Sequence, residues 1–215
     1  MPNWKRIPGT TLLLAAIAVA YALEIAAGGS ENPDVLYRLG ANTPDALNID
    51  QMWRLVAAMF LHIGLLHVVL NGWALFQLGS IFELVIGTLP MLGVYFATGI
   101  AASLSSVLFT KGLSAGASGA IFGLLGALVT FLLRHRRGLL PAGRGLLTQL
   151  LGWAALNIVL GWTTPGIDNA GHLGGCALGL ALGTLLHGRP IAEAQAFPPP
   201  PSPPPPPNWP QFPGN

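Results

Sequence analysis

Gly116-Ala117-Ser118-Gly119 opens one apolar run of this chain, and Gly171-His172-Leu173-Gly174-Gly175 opens another further along. Each puts one side chain able to exchange a proton among small residues at the start of an apolar helix. Polar groups cost free energy in hydrocarbon, so those in membrane segments are candidates for function. A serine and a histidine placed alike suit a nucleophile and its base. Serine among small residues is more often a helix-packing residue, but its place at a helix start changes the balance. Unpaired backbone N–H groups and the positive end of the helix dipole favour an oxyanion there. Gly116 and Gly119 remove side chains that would obstruct a substrate backbone.

Composition sends the chain to the membrane. Of 215 residues, 52% are hydrophobic and 8% charged, against about 25% charged in a soluble domain. A net charge of +2 gives no footprint for nucleic acid. The lone Cys176 excludes an internal disulfide or a multi-cysteine metal site and reads as a buried packing residue.

Six apolar runs approach the ~20 residues a span requires: 10–28, 57–79, 89–110, 115–134, 146–163 and 169–187. The expected fold is therefore an all-α, six-span helical bundle. Lys5 and Arg6 ahead of the first run resemble the start of a signal peptide. The run continues past Glu24 and five more follow, so it reads as a retained span. Residues 1–9 form a short N-terminus, 10–188 the membrane domain and 189–215 a separate tail. The tail carries Pro198 to Pro201 and Pro203 to Pro207 and cannot be helical. An extended polyproline segment offers a docking strand for an SH3-like or WW-like cytoplasmic partner, although passive disorder is the expectation.

Lysine and arginine set the orientation. With the N-terminus inside, Lys5, Arg6, Arg134, Arg136, Arg137, Arg144 and Arg189 are cytoplasmic, and Arg38, Arg54 and Lys111 are outside. This excess predicts N-in and C-in. Spans 2, 4 and 6 then all run inward, which puts His62, His67, Asn71, Ser118 and His172 at similar depth below the outer face.

A histidine in apolar surroundings is commonly a satisfied core residue. Here Gly175, Gly179 and Gly183 on one run, and Gly119, Gly123 and Gly126 on the other, give two small-residue faces. Helices meeting on such faces come close enough for a Ser118–His172 hydrogen bond. Asp168 precedes His172 by four residues and reads as a loop or helix-start residue, leaving a Ser–His dyad. In His62-x4-His67-x3-Asn71, the last two share a helix face and both can donate to an oxyanion. Metal binding is the competing reading. It lacks the His-Glu-x-x-His pattern, and asparagine is a poor zinc ligand. No metal and no cofactor are expected.

Taken together and in this order, the motifs resemble the rhomboid family of intramembrane serine proteases. His67 and Asn71 match its His-x-x-x-Asn, Ser118 its Gly-x-Ser-Gly nucleophile, and His172 its base. The resemblance implies that the Ser118 amide, His67 and Asn71 form the oxyanion hole. It further implies structural roles for Trp53-Arg54 and for Gly79, Glu83 and Gly87. Gly175 and Gly179 match the small residues of the family's last span. Gly171 stands where many members have alanine, and Phe122 where some have tyrosine; an aromatic ring there can pack on the histidine. The implied reaction is peptide hydrolysis in or beside the transmembrane segment of single-pass membrane proteins, in a cell membrane, with the site opening outward. A transporter or channel would instead show inverted repeats or paired intramembrane charges, and neither is present. A non-catalytic binder on this scaffold would lack Ser118 or His172, and both remain.

Overall fold

The computed structural model describes residues 6–110, 112–139, 141–164 and 166–188. Lys5, Lys111, Arg189 and the proline-rich tail lie outside them. The described residues form eight α-helices, with one long loop between the second and third. These are α1 (Pro8–Ala26), α2 (Pro33–Leu39), α3 (Arg54–Ala57), α4 (Leu65–Ile86), α5 (Thr88–Phe109), α6 (Ser118–Arg134), α7 (Pro141–Thr163) and α8 (Asn169–Leu182). By length and composition, α1, α4, α5 and α7 can cross a membrane, while α6 and α8 are apolar but shorter.

One boundary departs from the hydropathy reading. The second run was expected to be helical from residue 57, yet α4 starts at Leu65. Residues 54–57 make a single turn, and the chain then runs irregularly to Gly64 at φ +84°. That left-handed conformation favours glycine, and a Cβ there would also meet Glu31 Oε1 at 2.8 Å. His62 therefore lies in the lead-in to α4, and His67 in its first turn.

Charge is managed where α1 meets α4. Glu83 is 4% exposed, and its oxygens accept from Gly9 N and Thr10 N (both 2.8 Å) and from Thr10 Oγ1 and Thr88 Oγ1 (both 2.7 Å). The first amides of a helix lack intrahelical partners, and here a carboxylate from another helix satisfies two of them. It also sits at the positive end of the α1 dipole. Gly79, one turn earlier, lets the helices approach, since a Cβ would stand 3.0 Å from Thr10 Oγ1.

The core centres on α6, buried along most of its length between α5 and α8. Its contact with α8 is backbone against backbone. A Cβ on Gly175 would collide with the Gly119 carbonyl, and one on Gly179 with the Gly123 carbonyl. A Cβ on Gly126 would sit 2.7 Å from the Cys176 carbonyl oxygen, where Cys176 packs. On the opposite side, Gly119 and Gly123 admit Ala102 and Thr98 of α5. α7 is peripheral, with much of its surface exposed, and meets α4 through Trp73 and Trp153, ring centroids 5.0 Å apart.

A carbonyl held inside a helix cannot step aside, so side chains at the α6–α8 contact must separate the helices. Gly179→Val should destabilise the protein by about 3 kcal/mol or more. Gly152→Val, on α7 with nothing near its Cβ position, should behave as wild type. Thermal unfolding in detergent measures both, and equal melting temperatures would refute the close-packing account.

Candidate active site

The α6–α8 contact brings the two opening motifs together. Ser118 is the first residue of α6, and His172 lies in the first turn of α8. His172 Nε2 is 2.8 Å from Ser118 Oγ, a distance for direct proton transfer. The Phe122 ring, one turn after the serine, stacks on the imidazole with centroids 4.3 Å apart and planes 10° from parallel. Together they hold the histidine ring from its edge and its face.

The approach to Ser118 is held from α3 and α4. Gly116 N donates to the Ala58 carbonyl at 2.9 Å, and Ala117 N donates to His62 Nε2 at 3.4 Å. Gly116 has φ +145°, and a Cβ there would stand 2.9 Å from His67 Cε1, 3.0 Å from His67 Nε2 and 3.7 Å from Ser118 Oγ. His67 and the serine hydroxyl therefore border the same small space, which any side chain at 116 would fill. His67 Nδ1 accepts from Ile63 N at 3.3 Å, which places the ring proton on Nε2, facing the serine motif.

Asn71 is buried one turn further along the same face, and its Nδ2 donates to the His67 carbonyl at 3.0 Å. His62 is fully buried and edge-on to His67, with centroids 5.2 Å apart. Its Nδ1 lies 3.0 Å from the Phe60 carbonyl, so it donates there while Nε2 accepts from Ala117. His62 thus braces the loop that precedes the serine.

One participant escaped the sequence reading, and another was read only as a loop or helix-start residue. Glu24, 0% exposed, accepts from His62 N at 2.9 Å and ties the end of α1 to the lead-in of α4. Asp168 caps α8 by accepting from Gly171 N at 2.9 Å. Burial alone would raise its pKa. Hydrogen bonds from Ser106, Gly171, Ser114 and Thr110 outweigh that and hold the carboxyl below its usual range. Glu24 could have been suspected as an acid inside an apolar run, but its partner, a backbone amide in a distant loop, leaves no sequence signal.

Trp53 and Arg54 lie in the long loop before α4. The Arg54 guanidinium sits 4.2 Å from the Tyr37 ring centroid and 4.9 Å from that of Trp53. It donates to Gln51 Oε1 and to the Tyr37 and Ala41 carbonyls. The loop is pinned on this one side chain. Among the described residues, no group of three or more His, Cys, Asp or Glu side chains has the arrangement to hold a metal ion.

The family model described as a Rhomboid domain matches residues 50–189. The chain is 38% identical over 170 residues to Rhomboid protease GluP of Bacillus subtilis, covering 78% of this chain and 33% of that protein. It is 29% identical over 185 residues to Rhomboid-like protease 2 of Toxoplasma gondii, covering 82% of this chain and 65% of the relative. With RHOMBOID-like protein 6, mitochondrial, of Arabidopsis thaliana, it shares 33% identity over 175 residues, 78% of this chain and 56% of the relative. The chain thus spans between a third and two thirds of the length of these relatives. Matched over most of its described helices, and carrying a serine and a histidine in hydrogen-bond contact at two helix starts, the chain belongs to the rhomboid family.

Proposed function

We propose that the protein is an intramembrane serine endopeptidase in which Ser118 and His172 form a catalytic dyad. The observation that carries this reading is the 2.8 Å contact between His172 Nε2 and Ser118 Oγ at the start of an apolar helix. The protease names of several relatives support it. Ser118 Oγ attacks the scissile carbonyl as its proton passes to His172 Nε2. The carbon–nitrogen bond breaks as that proton moves to the leaving amine, giving an acyl-enzyme. Water, deprotonated by His172, then releases the acid.

The tetrahedral oxyanion takes its donors from the Ser118 amide, from His67 Nε2 and from Asn71. The Ser118 amide opens a helix and has no intrahelical partner, which leaves it free to donate. The substrate class is single-pass membrane proteins, entered by the lipid bilayer. A helical substrate hides its carbonyls, so residues that weaken the helix near the cut should favour cleavage. Small residues suit the space beside Gly116.

All six apolar helices cross the membrane in this reading, with both termini cytoplasmic and the dyad opening to the outer face. Arg6, Arg134, Arg136, Arg137 and Arg144 cluster at the end of the bundle opposite Ser118, as the positive-inside bias requires. The proline-rich tail remains a candidate docking strand for a cytoplasmic partner. Against a transporter or channel stands the state of the acids near the spans. Glu83 binds the first amides of α1, and Glu24 binds the His62 amide in the lead-in to α4, which is the work of structural groups.

A fluorophosphonate probe should label Ser118, and His172→Ala should abolish labelling while EDTA leaves cleavage intact. Labelling elsewhere, or cleavage by Ser118→Ala, would overturn the dyad.

Asn71→Ala should lower turnover by roughly 10²–10³, the usual cost of one oxyanion donor, or less where His67 and the Ser118 amide compensate. Its melting temperature should scarcely move. A destabilised variant with near-normal turnover would make Asn71 a packing residue.

For orientation, a cysteine introduced at Asp45 in a Cys176→Ala background should react with an impermeant reagent on intact cells. One placed at Ser202 should react only after lysis. The reverse pattern would invert the topology.

A further inference from the structure

We propose that Asp168 is a positioning residue for the Ser118–His172 pair, setting their separation by bonding at once to the chain segments that carry each of them. This rests on the dyad reading above and adds a residue to it. The geometry is a double suspension. Asp168 Oδ2 accepts from Ser114 Oγ at 2.7 Å, and Ser114 lies one helical turn's length of chain before Ser118. Asp168 Oδ1 accepts from Thr110 Oγ1 and from Gly171 N, both at 2.9 Å. Asp168 itself lies the same distance before His172, and its carbonyl accepts from His172 N at 3.0 Å. One carboxylate is thus the common anchor from which both reacting side chains hang.

Neighbouring contacts make the anchor stiff. Ser114 exchanges two backbone hydrogen bonds with Asn42, at 2.8 and 2.9 Å, and Asn42 Nδ2 donates to the Ser103 carbonyl of α5 at 2.9 Å. Thr110 closes α5, where its N–H donates to Ser106. The carboxylate therefore joins the end of α5, the lead-in to α6 and the start of α8. A Cβ on Gly171 would stand 2.7 Å from Asp168 Oδ2, so glycine in place of the commoner alanine allows the carboxylate to fold in this tightly. The glycine faces fix how near α6 and α8 come from Gly119 and Gly175 onward. At the membrane surface, where both helices begin, the Asp168 bonds restrain the first turns.

A helix cap alone would not need an anion. Asparagine is as good a cap as aspartate, so Asp168→Asn keeps the bond to Gly171 N. Its amide nitrogen, however, then stands where Oδ2 accepts from Ser114 Oγ, and an amide nitrogen cannot accept. Reacting groups misplaced by a fraction of an ångström to 1 Å lose on the order of ten- to a hundredfold in rate. The experiment is cleavage of a model single-pass substrate by the full chain in detergent, with kcat and KM resolved. The rate of fluorophosphonate labelling at Ser118 and the melting temperature are measured on the same preparations.

Asp168→Asn should lower kcat and the labelling rate together by about tenfold or more, with KM within about twofold and an almost unchanged melting temperature. Ser114→Ala should reproduce much of the loss, and Ser114→Thr, which keeps the hydroxyl, should restore it. The Asp168→Asn, Ser114→Ala double variant should be little worse than Asp168→Asn alone, because both remove one bond. Normal kcat in Asp168→Asn, or losses that follow melting temperature, would reduce Asp168 to a cap and overturn the inference. If Asp168→Asn does not fold, the Ser114→Ala and Ser114→Thr pair decides by itself. Failure of the dyad reading would appear differently, as wild-type labelling away from Ser118 or labelling insensitive to His172→Ala.

Discussion

The structure depends on the backbone contact between α6 and α8. Gly175 and Gly179 lie against the carbonyls of Gly119 and Gly123, a separation that no residue with a Cβ permits. Apolar burial cannot drive such an approach inside a bilayer, because lipid tails are as apolar as the helices. Close van der Waals packing of small residues takes its place. The same interlocking brings the helix starts that carry Ser118 and His172 together. A serine and a histidine on helices held apart by leucines would lie too far apart for a 2.8 Å hydrogen bond.

Carboxylates finish what the glycines begin. Glu83 holds the first amides of α1 to the far end of α4, Glu24 holds the His62 amide, and Asp168 caps α8 while bonding to the segment ahead of α6. Each is buried or partly buried; Glu83 and Asp168 bind first-turn amides that have no partner in their own helix, and Glu24 binds the His62 amide ahead of α4. A buried anion is costly when unpaired, yet here it fixes a helix end to another part of the chain. Glu83 acts at the end of the bundle opposite Ser118 and His172, and the other two act beside them. The arrangement explains how so few charged residues can organise a membrane domain.

The loops around Ser118 carry their own hierarchy. Arg54 gathers the long loop by stacking between Tyr37 and Trp53 and donating to carbonyls. That loop offers Asn42 to Ser114, and Ser114 leads into the serine motif. His62 reaches the same motif from the other side, through Ala117. Ser118 therefore sits at the meeting of a loop network and a helix start, supported on both sides, beside the space left by the missing side chain of Gly116.

Hydropathy in the sequence sufficed to locate the apolar helices, because burial in lipid is a property of each segment by itself. Glycine spacing identified the faces of α6 and α8 that meet, since a helix repeats its faces at fixed intervals. The motifs marked Ser118 and His172 for the same reason: what they need is local, a small neighbour and a helix start. The start of α4 was misplaced because the turn at Gly64 interrupts an apolar run without changing its hydropathy. Glu24 with His62, and Asp168 with Ser114 and Thr110, were decided only by tertiary structure. Their partners lie far along the chain or on backbone atoms that every residue shares, so composition and spacing carry no mark of them.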